Sequence, residues 1–144
     1  DNIRYNRKEI QHDQVVRAAE LVGAHDFIST LDTGYDTHVS ERGVNLSLGQ
    51  RQLICFARAL VAKPTVLILD EATANIDTPT EMLIQRGLKE LLRDRTAVII
   101  AHRLSTIRNS DRIIVIDNGT IVETGKHEYL VDKGGLYSKL SNYS

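Results

Sequence analysis

The sequence predicts an α/β fold in which helices flank a parallel strand pair and a β-hairpin follows. Three observations carry this expectation. Val66-Leu67-Ile68-Leu69 and Thr96-Ala97-Val98-Ile99-Ile100-Ala101 are apolar runs of strand length, rich in β-branched residues. Between them lies a helical pattern, Thr80 to Leu92, and two strands joined through a helix connect right-handedly and run parallel. Asn118-Gly119 stands between two further apolar runs, 112–116 and 120–123, which is the strongest short-range signal for a hairpin.

Each element follows from local pattern. Val15, Val16, Ala19 and Val22 share one face of a helix over 13–22, with Asp13 as its N-cap and Gly23 as its stop. Residues 25–31 read as a short helical turn, and 33–37 and 40–46 as loops. A longer helix starts at Ser47 and runs to Ala62, because Leu53, Phe56, Ala57, Leu60 and Val61 recur at three- and four-residue spacing. Lys63-Pro64 ends it. The strand from Thr65 to Leu69 reads as buried on both faces. In the helix after it, Leu83, Leu88, Leu91 and Leu92 form an imperfect apolar side. Residues 104–109 make one or two helical turns, and small helices cover 126–131 and 135–142. No internal repeat and no low-complexity tract interrupts the chain.

Composition narrows the function classes. The 144 residues suffice for one domain with a core, and 42% hydrophobic with 26% charged residues is ordinary for a globular protein. A formal net charge of −1 gives no electrostatic ground for binding nucleic acid or an anionic membrane surface. Cys55 is the single cysteine, so no intramolecular disulfide forms, and its apolar neighbours predict a buried, unreactive thiol. No apolar run reaches the roughly 20 residues that span a bilayer. The start, Asp1-Asn2-Ile3-Arg4-Tyr5, has neither a signal-peptide core nor an initiator Met. The chain is therefore expected to be soluble and cut from a longer one.

Three features carry chemistry. Asp70-Glu71 ends the first apolar strand, where open α/β sheets collect ligands and where a carboxylate can hold Mg²⁺ while its neighbour activates a water. Its bland alternative is a core strand followed by two solvated acids. His102 stands just past the second strand, so parallel strands would bring it to the same sheet edge, although a lone His there is often structural. Ser47 and Gly49 open the long helix, whose first N–H groups and positive dipole end make an anion site. Without a Cβ, Gly49 lets a phosphate approach the backbone closely. The alternative is that Ser47 is only an N-cap.

Together these residues resemble the ATP-binding domain of ATP-binding-cassette (ABC) transporters of the exporter type. Leu46-Ser47-Leu48-Gly49-Gln50 with Arg51-Gln52 resembles the LSGGQ signature. Val66 through Glu71 resembles Walker B with its catalytic glutamate, Ala74-Asn75-Ile76-Asp77 the D-loop, and Ala101-His102-Arg103 the switch-histidine loop. Ser40-Glu41-Arg42-Gly43 resembles the coupling loop of exporters, and the tail from Asn118 to Glu123 through Gly125-Lys126-His127 also matches. The resemblance covers essentially all 144 residues. It implies a partial P-loop NTPase (RecA-like) core with parallel strands, a helical signature subdomain over 1–62, and the distal half of the ATPase core with its hairpin over 63–144. Leu48 replaces the first Gly of the signature, but Gly49 is retained and function is expected to survive. No Gly-x-x-x-x-Gly-Lys-Ser/Thr occurs, so the chain looks like a C-terminal portion lacking Walker A and the Q-loop.

The resemblance also implies roles. Two such domains sandwich two ATP molecules head to tail. Asp70 would hold Mg²⁺ through water, Glu71 would polarise the attacking water, and His102 would sense the γ-phosphate. Ser47, Gly49 and Gln50 would serve the partner domain's ATP. Asp77 would line the dimer seam, and Glu41 and Arg42 would face the transmembrane domains. The implied cofactors are ATP and Mg²⁺, and the implied partners are a second nucleotide-binding domain and the transmembrane domains, with no nucleic acid. The implied location is the cytoplasmic face of a membrane, reached through attached transmembrane domains. Without a P-loop the isolated chain is expected to be inactive, and its incomplete sheet to leave an edge exposed. Two other readings stand beside this one: a non-catalytic interaction or regulatory fragment, and a soluble ABC-type ATPase unrelated to transport.

Overall fold

In a computed structural model, residues 2–70, 78–100 and 104–142 are described. Helices α1 (His12–Val22), α2 (His25–Ser29) and α3 (Leu48–Ala62) precede strand β1 (Val66–Asp70). Helix α4 (Thr78–Leu92), strand β2 (Thr96–Ile100) and the short helix α5 (Leu104–Ile107) follow. The hairpin β3 (Ile113–Asp117) and β4 (Thr120–Gly125) leads to α6 (His127–Asp132) and α7 (Leu136–Ser141). The chain divides into two compact units, Asp1–Leu67 with Thr73–Val98, and Ile68–Ala72 with Ile99–Ser144.

In the first unit α1, α3 and α4 pack on one another. Their shared core is Val15, Ala18, Ala19 and Val22 from α1, Leu53, Phe56 and Ala57 from α3, and Ile84, Leu88 and Leu91 from α4. The expected cap at Asp13 is not the one observed. Helix α1 begins one residue earlier with Gln11 as N-cap, whose N–H donates to Gln14 Oε1 at 2.9 Å. Gln14, three residues on, takes up an orphan donor that Asp13 cannot reach from inside the first turn. Gly23 does stop the helix, at φ 76°, and the Ala24 N–H closes the turn onto Ala19 O at 2.7 Å.

The apolar side of α4 also differs from the sequence reading. Leu83 is exposed while Ile84 is buried. Apolar residues at 82, 83 and 84 fit three adjacent helical phases, and packing against α1 and α3 selects the phase that also buries Leu88 and Leu91. Cys55 corrects a second expectation, because its thiol side chain is exposed. Residues 53, 54, 56 and 57 take the buried face of α3, and position 55 falls on the other side.

Strands β1 and β2 lie side by side as a parallel pair, and at their start the Thr96 N–H donates to Thr65 O at 3.4 Å. The two-sided burial expected of β1 is not observed. Val66, Ile68, Val98 and Ile100 are 56%, 75%, 54% and 52% exposed, whereas Leu67 is buried. Side chains alternate along a strand, so Val66 and Ile68 share one open face of β1, and Val98 and Ile100 one open face of β2.

The second unit holds the hairpin. Strands β3 and β4 pair antiparallel, with Ile113 opposite Gly125, Asp117 opposite Thr120 and an irregularity between Val115 and Ile116. Asn118 (φ 48°) and Gly119 (φ 77°) form the two-residue connection, both in the left-handed region that a type I′ turn requires. Ile113, Val115, Leu130 and Tyr137 form its core, with Ile107, Val131 and Leu136 packed against it. Buried Glu123 is held there: Oε2 accepts the Tyr137 N–H at 2.8 Å, and Oε1 lies 4.0 Å from Lys133 Nζ.

Burying a side chain such as Ile68 stabilises by about 1.5–3 kcal/mol, so the open face of β1 and β2 is a driving force for association. The 144-residue chain should self-associate as its concentration rises, seen as growing mass in light scattering. Ile68→Lys should reduce that growth. A monomer whose mass stays constant with concentration contradicts the open face.

Candidate functional site

The candidate site is the first turn of α3 with the loop that enters it. Helix α3 begins with a reciprocal cap. The Gln50 N–H donates to Ser47 Oγ at 3.1 Å, and the Ser47 N–H donates to Gln50 Oε1 at 2.9 Å. Ser47 is therefore a working N-cap, and this does not consume its hydroxyl proton. The N–H groups of Leu48 and Gly49 have no acceptor within the helix, and they emerge at its positive dipole end. Ser47 and Leu48 are exposed, Gln50 is half-buried and Gly49 is buried. The turn can thus offer an anion one hydroxyl and two backbone donors.

The missing Cβ of Gly49 has a different neighbour from the one the sequence suggests. A Cβ there would overlap the Thr80 Cγ2 methyl of α4. Helix packing, and not the approach of a phosphate, takes the Cβ side of Gly49.

The loop before α3 is clamped. Glu41–Gly43 forms one 3₁₀ turn, with Arg42 at φ 58° and Gly43 at φ 66°. Arg51 Nη1 donates to Gly43 O at 3.1 Å and to Leu46 O at 2.8 Å. Asn45 braces the other side, with Nδ2 donating to His38 O at 3.0 Å and Oδ1 accepting the Ser40 N–H at 3.1 Å. Glu41 and Arg42 are exposed at the turn these bonds hold. Sequence reasoning missed the role of Arg51, although a signal was present. A cation in the first turn of a helix stands at the unfavourable end of the dipole and needs partners elsewhere.

Behind this loop lies a cleft of about 420 Å³ lined by Tyr35, His12, His38 and Val39 among others. Tyr35 donates to or accepts from His25 Nδ1 at 2.9 Å, and the His12 ring meets it edge-on at 5.4 Å. Burial, reinforced by the Glu20 carboxylate, pushes the Tyr35 hydroxyl above its ordinary pKa. These rings secure α2 to the turn at Gly34–Asp36 and had no signature in the sequence.

The remaining expected site residues fall elsewhere. Asp70 is exposed at the C-terminal tip of β1, in the second unit. Glu71, Asp77 and His102 lie outside the described residues. Among the described residues no group of three His, Cys, Asp or Glu side chains is placed to hold a metal ion. Among them, too, no helix is long and apolar enough to cross a membrane.

Comparison with known proteins identifies relatives of the chain. A family model described as ABC transporter matches residues 2–74. The chain is 59% identical over 140 residues to the uncharacterized ABC transporter ATP-binding protein YknV of Bacillus subtilis, covering 97% of this chain and 23% of that protein. It is 50% identical over 141 residues to the fatty acid ABC transporter ATP-binding/permease protein of Mycobacterium bovis, covering 98% and 22%. A solved structure of a bacterial Atm1-family ABC exporter with ATP bound superposes with a TM-score of 0.87 at 43% identity, covering 99% of this chain and 25% of that one. The chain thus spans about a quarter of the length of the relatives it matches.

The clamp generates a direct expectation. Arg51→Met keeps most of the aliphatic stem and removes both donors to the loop. It should speed amide hydrogen exchange over residues 43–46 by roughly ten- to hundredfold, since a hydrogen bond from a charged donor contributes about 1.5–3 kcal/mol. Unchanged exchange in that variant would show that the loop holds its shape without Arg51.

Proposed function

Because the chain belongs to the ABC transporter family, we propose that it is part of the ATP-binding and ATP-hydrolysing domain of an exporter. Residues 1–62 serve as its helical signature subdomain and 63–144 as the distal half of its ATPase core. The observation that carries this reading is the first turn of α3, where an exposed Ser47 hydroxyl and the Leu48 and Gly49 N–H groups converge beside a clamped, charged loop. The names of the relatives support the exporter class, since one is a fatty acid transporter and another a cyclolysin secretion/processing ATP-binding protein of Bordetella pertussis, and the superposed exporter holds ATP. These names disfavour both a soluble ATPase unrelated to transport and a purely regulatory module.

In this reading Ser47, Gly49 and Gln50 act on the ATP of a second nucleotide-binding domain. The Ser47 hydroxyl donates to a γ-phosphate oxygen, the two N–H groups add backbone donors, and Gln50 keeps the cap in register. Glu71 accepts a proton from the attacking water, and His102 contacts the γ-phosphate. Asp77 lines the seam between the two domains. Asp70 suits Mg²⁺, because its carboxylate is exposed at a strand tip and supplies the hard oxygen that ion prefers, directly or through water. When bound, the ion neutralises charge on the phosphates. Glu41 and Arg42 meet transmembrane domains that belong to the same transporter, which places the chain at the cytoplasmic face of a membrane. Nucleic acid has no part in this scheme.

The 144 residues alone offer Asp70 and Glu71 to a polyanion without the Lys and backbone nest of a P-loop. Calorimetry should show no micromolar binding of MgATP to this chain, and phosphate release should stay at background. Tight binding with turnover would show that these residues form a complete site. In a longer transporter polypeptide containing the chain, Glu71→Gln should abolish hydrolysis while retaining ATP. Wild-type hydrolysis by that variant would remove Glu71 from its role.

A further inference from the structure

We infer that Thr80 is a positioning residue for the start of α3. Its Cγ2 methyl seats on the bare Cα of Gly49 and locks the first turn of α4 to the first turn of α3. Gly49 is buried although Ser47 and Leu48 before it are exposed, so this one position of the turn faces inward. A Cβ built on Gly49 would overlap Thr80 Cγ2, yet it would stand 3.5 Å from Thr80 Cβ and 3.7 Å from Ile84 Cδ1, which are ordinary contacts. The conflict is therefore a single methyl group. Alanine is the better helix former, so glycine within α3 works against local preference, and the methyl across the interface is the compensating reason.

Thr80 is suited to the task. It is β-branched, so its χ1 is restricted and its methyl does not swing away freely. Ile84 follows one helical turn later, so Thr80 and Ile84 form one ridge of α4 against α3. Both contact residues sit in first turns, two positions after Ser47 and three after Asp77. Here the inference rests on the proposed function. If Ser47 and Gly49 serve one ATP site, the Gly49–Thr80 contact joins the helix that carries that site to the start of α4. A shift of about 1 Å at that joint would misplace the Ser47 hydroxyl and the Leu48 and Gly49 N–H groups.

Thermal unfolding of the 144-residue chain without nucleotide tests the contact itself. Gly49→Ala should lower Tm by about 3–10 °C, as overpacking does in a domain of this size. Thr80→Ser removes only the conflicting methyl and keeps the hydroxyl. The double variant Gly49→Ala/Thr80→Ser should recover at least half of the loss. Should Gly49→Ala not fold, the double variant should fold. The contact is overturned if Gly49→Ala unfolds at or above the wild-type temperature, or if the double variant is no better than Gly49→Ala alone. A second arm uses ATP hydrolysis by the longer polypeptide. Thr80→Ser, which keeps the hydroxyl and removes only the methyl, should raise KM for ATP several-fold with kcat little changed. An unchanged KM in that variant would overturn the positioning role. Absence of any ATP hydrolysis would remove the proposed function, while the unfolding series still decides the contact.

Discussion

The close approach of α4 to α1 and α3 is the constraint on which the first unit depends. It is possible because α4 and α3 each give up a side chain where they meet their neighbours. A Cβ on Gly87 would lie 2.9 Å from the carbonyl oxygen of Val22 and 3.3 Å from Phe56, so α4 crosses α1 at backbone contact. Gly49 allows a close approach at the other end of α4, where it meets the Thr80 and Ile84 side chains. Leu53 of α3 and Leu91 of α4 are fully enclosed. Truncating either to alanine would cost about 2–5 kcal/mol, a large share of a small domain's stability. The first turn of α3 is thereby presented on a rigid helical base, not on a flexible loop, as anion recognition by two backbone N–H groups requires.

The second unit is organised by a buried polar residue. Glu123 stays inside because the Tyr137 N–H and Lys133 satisfy it. His127 joins the same layer, with Nδ1 2.8 Å from the Tyr137 hydroxyl and Nε2 accepting from Arg108 Nε at 3.2 Å. Accepting at Nε2 leaves the ring proton on Nδ1, which then donates to Tyr137. Burial pushes the Tyr137 hydroxyl above its ordinary pKa, with the Arg108 charge acting in the opposite direction. These bonds fix α6 and α7 on the hairpin and tie Arg108, which follows α5, to α6.

Much of this was legible in the sequence, and the exceptions have physical causes. The α-helices and strands follow from sequence pattern, while the 3₁₀ turns at Gly34–Asp36 and Glu41–Gly43 read as loops, and Asn118-Gly119 and Ser47 mark a turn and a cap by chemistry that few other residues supply. The failures lie where several local solutions are equivalent. Asp13 and Gln11 both offer a side-chain acceptor near the start of α1, and only the reach of Gln14 decides. Met82, Leu83 and Ile84 are three apolar residues in a row, so the phase of α4 is set by α1 and α3. The open face of β1 and β2 could not be read, because an apolar run looks the same whether or not something covers it. Among site residues, the cap formed by Ser47 and Gln50 was readable from its spacing. The Arg51 clamp and the Gly49–Thr80 contact were not, since both depend on which segments tertiary structure brings together. Glu71, Asp77 and His102 stand on the sequence resemblance.

The account turns on the first turn of α3 receiving a nucleotide phosphate from a partner domain. The most direct measurement is a structure of the longer polypeptide containing this chain, determined with MgATP and the Glu71→Gln substitution. The account predicts a γ-phosphate oxygen within hydrogen-bond distance of Ser47 Oγ and of the Leu48 or Gly49 N–H, with the nucleotide's remaining contacts made by the opposite copy. ATP bound with its phosphates remote from the start of α3 in both copies would contradict it.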